Sequence, residues 1–292
     1  MIAEQVIASG EQLLAYGWAG IFIALWMSLA VGSFLNVVIY RLPVMLERQW
    51  QGQAREVLEL PAPAEEPEPF NLMVPRSRCP GCGNLISAWQ NIPIFSWIFL
   101  RGRCGSCGTG ISTRYPIVEL LTALCSLTVL ALFGYTWLGL AALLYTWALI
   151  ALTFIDYDTQ LLPDQITLPL MWLGLLTNLL GGVTDLGSAM FGAVIGYLFL
   201  WGTYWAFKLI TGKEGMGYGD FKLFAAIGAW LGWQLLPATI LIASAAGLLY
   251  ALVITVAGKR QRAQPIPFGP FLAVAGWVSL VARDNVLSLF LP

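Results

Sequence analysis

Eight apolar runs constrain this chain more than any other feature, because most approach the roughly 20 residues that a helix needs to cross a hydrocarbon core. They fall at about residues 16–40, 116–133, 137–155, 166–180, 187–210, 221–236, 237–257 and 268–290. Only the first two are separated by a long connection; the others are joined as in a compact bundle. Of the 292 residues 58% are hydrophobic and 11% charged, against about 25% charged in soluble domains. That excludes an ordinary soluble domain. The expected fold is an all-α polytopic membrane protein, a bundle of about eight transmembrane helices. A first span lies within residues 1–40, an insert occupies 41–115, and a seven-span bundle covers 116–292.

Sidedness follows from Lys and Arg, which gather on the cytoplasmic side of membrane proteins. Eight of the fifteen lie between Arg41 and Arg114, three (Lys208, Lys213, Lys222) flank the loop between spans five and six, and three (Lys259, Arg260, Arg262) follow span seven. Eight spans put all of these on one side and leave only Arg283 near the other. The insert is then cytoplasmic and both termini face the opposite compartment. Residues 1–15 hold Glu4 and Glu11 but no basic residue, so they lack the positive n-region of a cleavable signal peptide, and the first span is expected to be retained. Its one buried amide, Asn36, is expected to bond a neighbouring helix. Glu119 suits the first turn of the helix that opens at Pro116.

Within the insert, Gln51 to Pro69 are rich in Pro, Glu and Ala and lack apolar periodicity, the composition of a flexible linker, expected over about residues 48–74. Residues 75–114 contain Cys79-Pro80-Gly81-Cys82, a gap of 21 residues, and Cys104-Gly105-Ser106-Cys107. Two C-x-x-C pairs so separated match a zinc site with four thiolate ligands. Two disulfides are the competing reading, which a reducing cytoplasm disfavours. Four protein ligands leave no open position for water, so the metal is expected to be structural. Arg76, Arg78, Arg101, Arg103 and Arg114 make the module basic, with no acid among residues 75–114. Attraction to anionic membrane lipid, about 1 kcal/mol per basic residue, accounts for that charge without a nucleic-acid partner. Cys125, alone in the second span, reads as a small apolar residue.

Histidine is absent, which removes the commonest general base and metal ligand. Acid–base chemistry then rests mainly on carboxylates. A carboxylate in hydrocarbon costs roughly 2.5 kcal/mol or more at a helix centre, so one at the boundary is functional by default. Asp220 stands in Gly217-Tyr218-Gly219-Asp220 where the sixth span opens, and Asp156, Asp158 and Asp164 stand where the third span ends. Two crossings separate them, which returns all four to one face. Two carboxylates a few ångströms apart share one proton, leaving one as base and one as acid. Such a pair drives water onto a peptide carbonyl. Gly217 and Gly219 are expected to give a tight turn with unusual φ/ψ that lets an extended backbone approach. In the simpler reading Asp220 caps a helix and the other acids are solvated loop residues; spacing alone leaves both open.

The run Ile155-Asp156-Tyr157-Asp158 with Leu162-Pro163-Asp164, the later Gly217-Tyr218-Gly219-Asp220-Phe221-Lys222, and the two cysteine pairs resemble the bacterial type IV prepilin peptidases, the G-x-G-D family of intramembrane aspartic proteases. Gly32-Ser33-Phe34-Leu35-Asn36, Tyr40-Arg41-Leu42-Pro43, Asn91 to Trp97 and Arg114 to Glu119 extend the resemblance over most of the chain except about residues 48–74. The resemblance implies an endopeptidase of the bacterial inner membrane with Asp156 and Asp220 as its catalytic pair. Its substrates would be prepilins and pseudopilins of type IV pilus biogenesis and type II secretion, cut after a glycine that ends their short basic leader. It also implies N-methylation of the new N-terminal residue from S-adenosylmethionine, although no G-x-G-x-x-G between a strand and a helix marks a Rossmann site for that donor. The alternative is an ion-coupled transporter with the two aspartates as a proton relay. The halves of the chain show no convincing repeat, and a four-cysteine insert has no obvious part in transport.

Overall fold

The structure, a computed structural model, describes residues 17–60, 69–258 and 266–290. The expectations for both termini and for the basic run from Lys259 to Arg262 lie outside these residues. The described residues are helical, apart from loops and two isolated bridges, and they divide between Leu127 and Thr128 into two compact units. Five helices are long and apolar enough to cross a membrane. Shorter helices occupy the other three expected spans.

In the first unit, α1 (Gly17–Val57) continues from the apolar run through Pro43 into polar sequence. Residues 48–57 of the expected flexible linker are therefore helical, and its residues 61–68 lie outside the described residues. Leu46 is buried, and residues 44–57 are mostly good helix formers, enough to carry the helix past the one N–H that Pro43 lacks. Arg41, also buried, donates from Nη1 to the Asn71 carbonyl (2.8 Å) and from Nη2 to that of Pro75 (2.6 Å). Beyond a single turn, α2 (Phe95–Phe99), comes α3 (Arg114–Phe133). It packs on α1 at Gly32, where a Cβ would come 2.7 Å from the Glu119 Cα. Asn36 bonds the neighbouring helix as expected, Nδ2 donating to the Tyr115 carbonyl at 3.1 Å. Glu119 accepts the Ile94 N–H at 2.7 Å. That bond holds Ile94 at φ 61, where β-branched residues are rarely found, so Glu119 clamps a loop.

The second unit consists of α4 (Trp137–Thr159), α5 (Asp164–Leu179), α6 (Leu186–Thr211), α7 (Tyr218–Leu231), α8 (Leu236–Val256), α9 (Gly269–Val281) and α10 (Arg283–Phe290). It is built round α7. From Leu223 to Leu231 this helix has no polar residue and every residue is buried, as a helix apolar all round must be. Helices α5, α6 and α9 enclose it. Its 14 residues span only about 21 Å. The last expected span is broken at Ala282 into α9 and α10, where the polar run Arg283-Asp284-Asn285 begins.

Glycines let the backbones touch α7. Gly192 and Gly196, one turn apart on α6, face Gly228 and Phe224. Neither Gly192 nor Gly228 has room for a Cβ beside the other's carbonyl, and a Cβ at Gly196 would lie 2.8 Å from the Phe224 carbonyl oxygen, the small-residue packing of membrane helices. On the opposite side Trp230 stacks over Gly174 and donates from Nε1 to the Leu170 carbonyl at 2.8 Å. Asn178 bridges two backbones: Nδ2 donates to the carbonyls of Ala229 and Trp230, and Oδ1 accepts from Val183 and Thr184. Two carbonyls at the end of α7 that lack helical partners are thereby satisfied. Overpacking usually costs about 1–3 kcal/mol, and Gly228→Val meets backbone that cannot retreat. We expect a loss at or above the top of that range, seen as a lowered thermal midpoint in detergent; an unchanged midpoint would discard this contact as a stability determinant.

Candidate active site

Asp156 lies in the last turn of α4 and Asp220 in the first turn of α7, only 5% and 6% exposed. Both belong to the second unit and sit at the same end of it, linked through Leu162, which lies against Gly219 beside Asp220 and against Gly269 beside Asp156. Asp156 Oδ2 accepts the backbone N–H of Gly269 at 3.0 Å. Asp220 Oδ1 is buried without a hydrogen-bond partner among the described residues. The residue at the cap of α7 is Gly217, and Asp220 stands three positions on, in the first turn of the helix. The other two acids of the expected cluster separate from the pair. Asp158 is exposed, and Asp164 accepts from Lys222 Nζ at 2.7 and 2.8 Å. With side chains 49% and 31% exposed, that ion pair contributes at most about 1 kcal/mol. It ties the first residue of α5 to α7.

Leu162, 7% exposed, wedges the site together. A Cβ at Gly219 would lie 2.7 Å from Leu162 Cβ; one at Gly269 would lie 3.1 Å from Leu162 Cδ1 and 2.6 Å from Asp156 Oδ2. The expected reason for the G-x-G pair needs correction. Gly217 has φ −82 and ψ 152, Gly219 is helical, and neither has positive φ. Gly219 is small because Leu162 fills the space beside it. Gly217 has a weaker requirement, since its Cβ would stand 3.8 Å from Asp220 Oδ2. Gly269 and Leu162 were not among the expected site residues. The only signal for Gly269 is the punctuation of Pro267-Phe268-Gly269-Pro270.

In the first unit the four cysteines converge, their Sγ atoms all within 4.8 Å of one another, and all are free thiols. The pairs are built alike. Cys79 N–H donates to the Asn84 carbonyl and Gly83 N–H to that of Cys79; 25 residues on, Cys104 donates to Thr109 and Gly108 to Cys104. Each turn closes with an isolated bridge, Arg78 to Leu85 and Arg103 to Gly110. The positive φ of Gly83 and Gly108, 71 and 72, is what lets each loop fold back. A zinc ion bonded to sulfur at about 2.3 Å sets tetrahedral S···S edges of about 3.8 Å, and Cys79 and Cys107 already stand 3.7 Å apart. The thiols differ in acidity. Bonds from Thr109 lower Cys107 to about 6, and the Ser106 and Cys107 amides lower Cys104. At Cys82 the Asn84 backbone favours thiolate, but desolvation and the neighbouring Cys107 and Cys79 outweigh it and push the thiol up to about 11. Cys125 stands apart in α3.

Residues 26–133, with the four cysteines, match the bacterial peptidase A24 N-terminal domain, and residues 143–252, with both aspartates, match the type IV leader peptidase family. The prepilin leader peptidase/N-methyltransferase of Aeromonas salmonicida is 55% identical over 95% of this chain and 97% of its own. Its namesakes from Stutzerimonas stutzeri and Pseudomonas aeruginosa are 54% and 50% identical, each over 96% of this chain and 97% of theirs. No solved structure matches. Identity at this level across almost the whole chain, with both halves matched in order, means that the chain belongs to the prepilin leader peptidase/N-methyltransferase family.

Proposed function

We propose that this chain cleaves the leader from prepilins and pseudopilins with Asp156 and Asp220 as its catalytic pair, and then methylates the new N-terminal residue. The observation that carries the reading is the pair itself: two almost fully buried carboxylates, on α4 and α7, brought to one end of one helical unit. One takes a proton from water as it attacks the peptide carbonyl, and the other protonates the leaving amine. Gly269 fixes one carboxylate by its N–H, while the unpartnered oxygen of Asp220 is available to the shared proton. S-adenosylmethionine supplies the methyl group for the second reaction. Cys79, Cys82, Cys104 and Cys107 would hold zinc in a closed, structural site. The basic insert favours a cytoplasmic placement in a bacterial inner membrane, on the side where a basic leader meets its apolar helix.

The test is reconstitution of the purified protein in lipid nanodiscs with a leader-bearing prepilin and methyl-labelled S-adenosylmethionine. We expect a product shortened to the residue after the leader glycine, with label on its new amine and none on the precursor. A folded protein that left the precursor intact would sink the peptidase reading.

A further inference from the structure

We infer that Gly269 is a positioning residue for peptide cleavage: its amide N–H fixes the Asp156 carboxylate, and its missing Cβ makes room for it. The inference rests on the assignment of Asp156 to the catalytic pair.

The opening turn of α9 has few amides to spare. Pro270 has no N–H, and Phe271 and Leu272 both donate to the Phe268 carbonyl. The Gly269 N–H is the one that leaves the helix, reaching Asp156 Oδ2 at 3.0 Å across 113 residues of chain in a buried contact. Unsatisfied amides and the positive end of the helix dipole meet there, so the donor is fixed and needs no side-chain ordering. A Cβ at this position would lie 2.6 Å from the same oxygen and 3.1 Å from Leu162. Any residue other than glycine therefore displaces either Asp156 or the Leu162 wedge that also rests on Gly219. Since small displacements of a catalytic group cost rate far more than binding, the effect should fall on kcat.

Three forms of the full chain in nanodiscs test this: wild type, Gly269→Ala, and a chain made by cell-free synthesis in which glycolic acid replaces Gly269. The last exchanges the amide for an ester, removing the N–H without adding an atom beside Asp156. Methyl transfer to a pre-cleaved pilin is measured in parallel, as a readout of folding that does not need the aspartates. Losing one hydrogen bond to a charged group corresponds to about ten- to a hundredfold. We expect kcat for cleavage to fall by that factor in the ester and further in Gly269→Ala, with KM and methyl transfer unchanged. If the ester cleaves within twofold of wild type, or if cleavage and methyl transfer fall together, the positioning role is overturned. Loss of cleavage in the wild type itself would instead count against the catalytic pair.

Discussion

Asp156→Asn and Asp220→Asn are each expected to lower leader cleavage by about a thousandfold or more, while methyl transfer to a pre-cleaved pilin persists. The magnitude follows from the chemistry: without histidine the site has no second base to take over, and groups that act as a unit lose nearly everything when one is removed. Asparagine keeps the shape. At position 156 its amide oxygen still accepts the Gly269 N–H that Oδ2 accepts now, so the anchoring contact survives and only proton transfer is lost. Burying an amide is also less costly than burying a charge, so the thermal midpoint of either variant should equal or exceed that of wild type. Such a rise would mark strain kept for function. Cleavage by both variants at near wild-type rates would remove these two residues from the mechanism and leave the peptidase to another pair of groups.

The two aspartates were legible because a carboxylate beside twenty apolar residues stands out, and topology returned both to one face. What holds them was not legible. Gly269 acts through its backbone, which every residue but proline possesses, so nothing in its identity announces a donor to a residue 113 positions away. Leu162 is one leucine among many, and only packing shows that it separates Gly219 from Gly269. In the G-x-G-D run neither glycine has positive φ, and what Gly219 supplies is its small size beside Leu162. At fold level, apolarity and length located the five helices among the described residues that are long enough to cross a membrane, and shorter helices in the other three expected spans. They failed at the ends: Pro43 concealed the continuation of α1 to Val57, because a proline and a change to polar sequence look alike whether a helix stops or merely leaves hydrocarbon. The shortness of α7 was equally hidden, since its burial comes from Gly192, Gly196 and Gly174 on other helices.

If the four cysteines hold zinc as proposed, Cys104→Ser is expected to abolish zinc binding and to open residues 75–114 to protease, while Cys125→Ser changes neither. Cysteine spacing made this module readable, because two turns offering two sulfurs each define a tetrahedron almost by themselves. Burial sets the size of the effect. Between residues 75 and 114 only Cys79, Pro93 and Gly102 are buried, so the module has no apolar core to hold it once the sulfurs part. Structural zinc binds zinc-finger peptides with an apparent 10–16 kcal/mol at neutral pH, more than a segment of this size gains from burial. Removing one thiolate leaves an open coordination position and, with the ion gone, two turns joined only by contacts such as Gly81 against Thr109. A chelator should reproduce the variant, and added zinc should reverse the chelator but not the variant. Metal analysis and limited proteolysis read both effects; a Cys104→Ser chain that kept stoichiometric zinc and a protected insert would show that the four cysteines do not form the site.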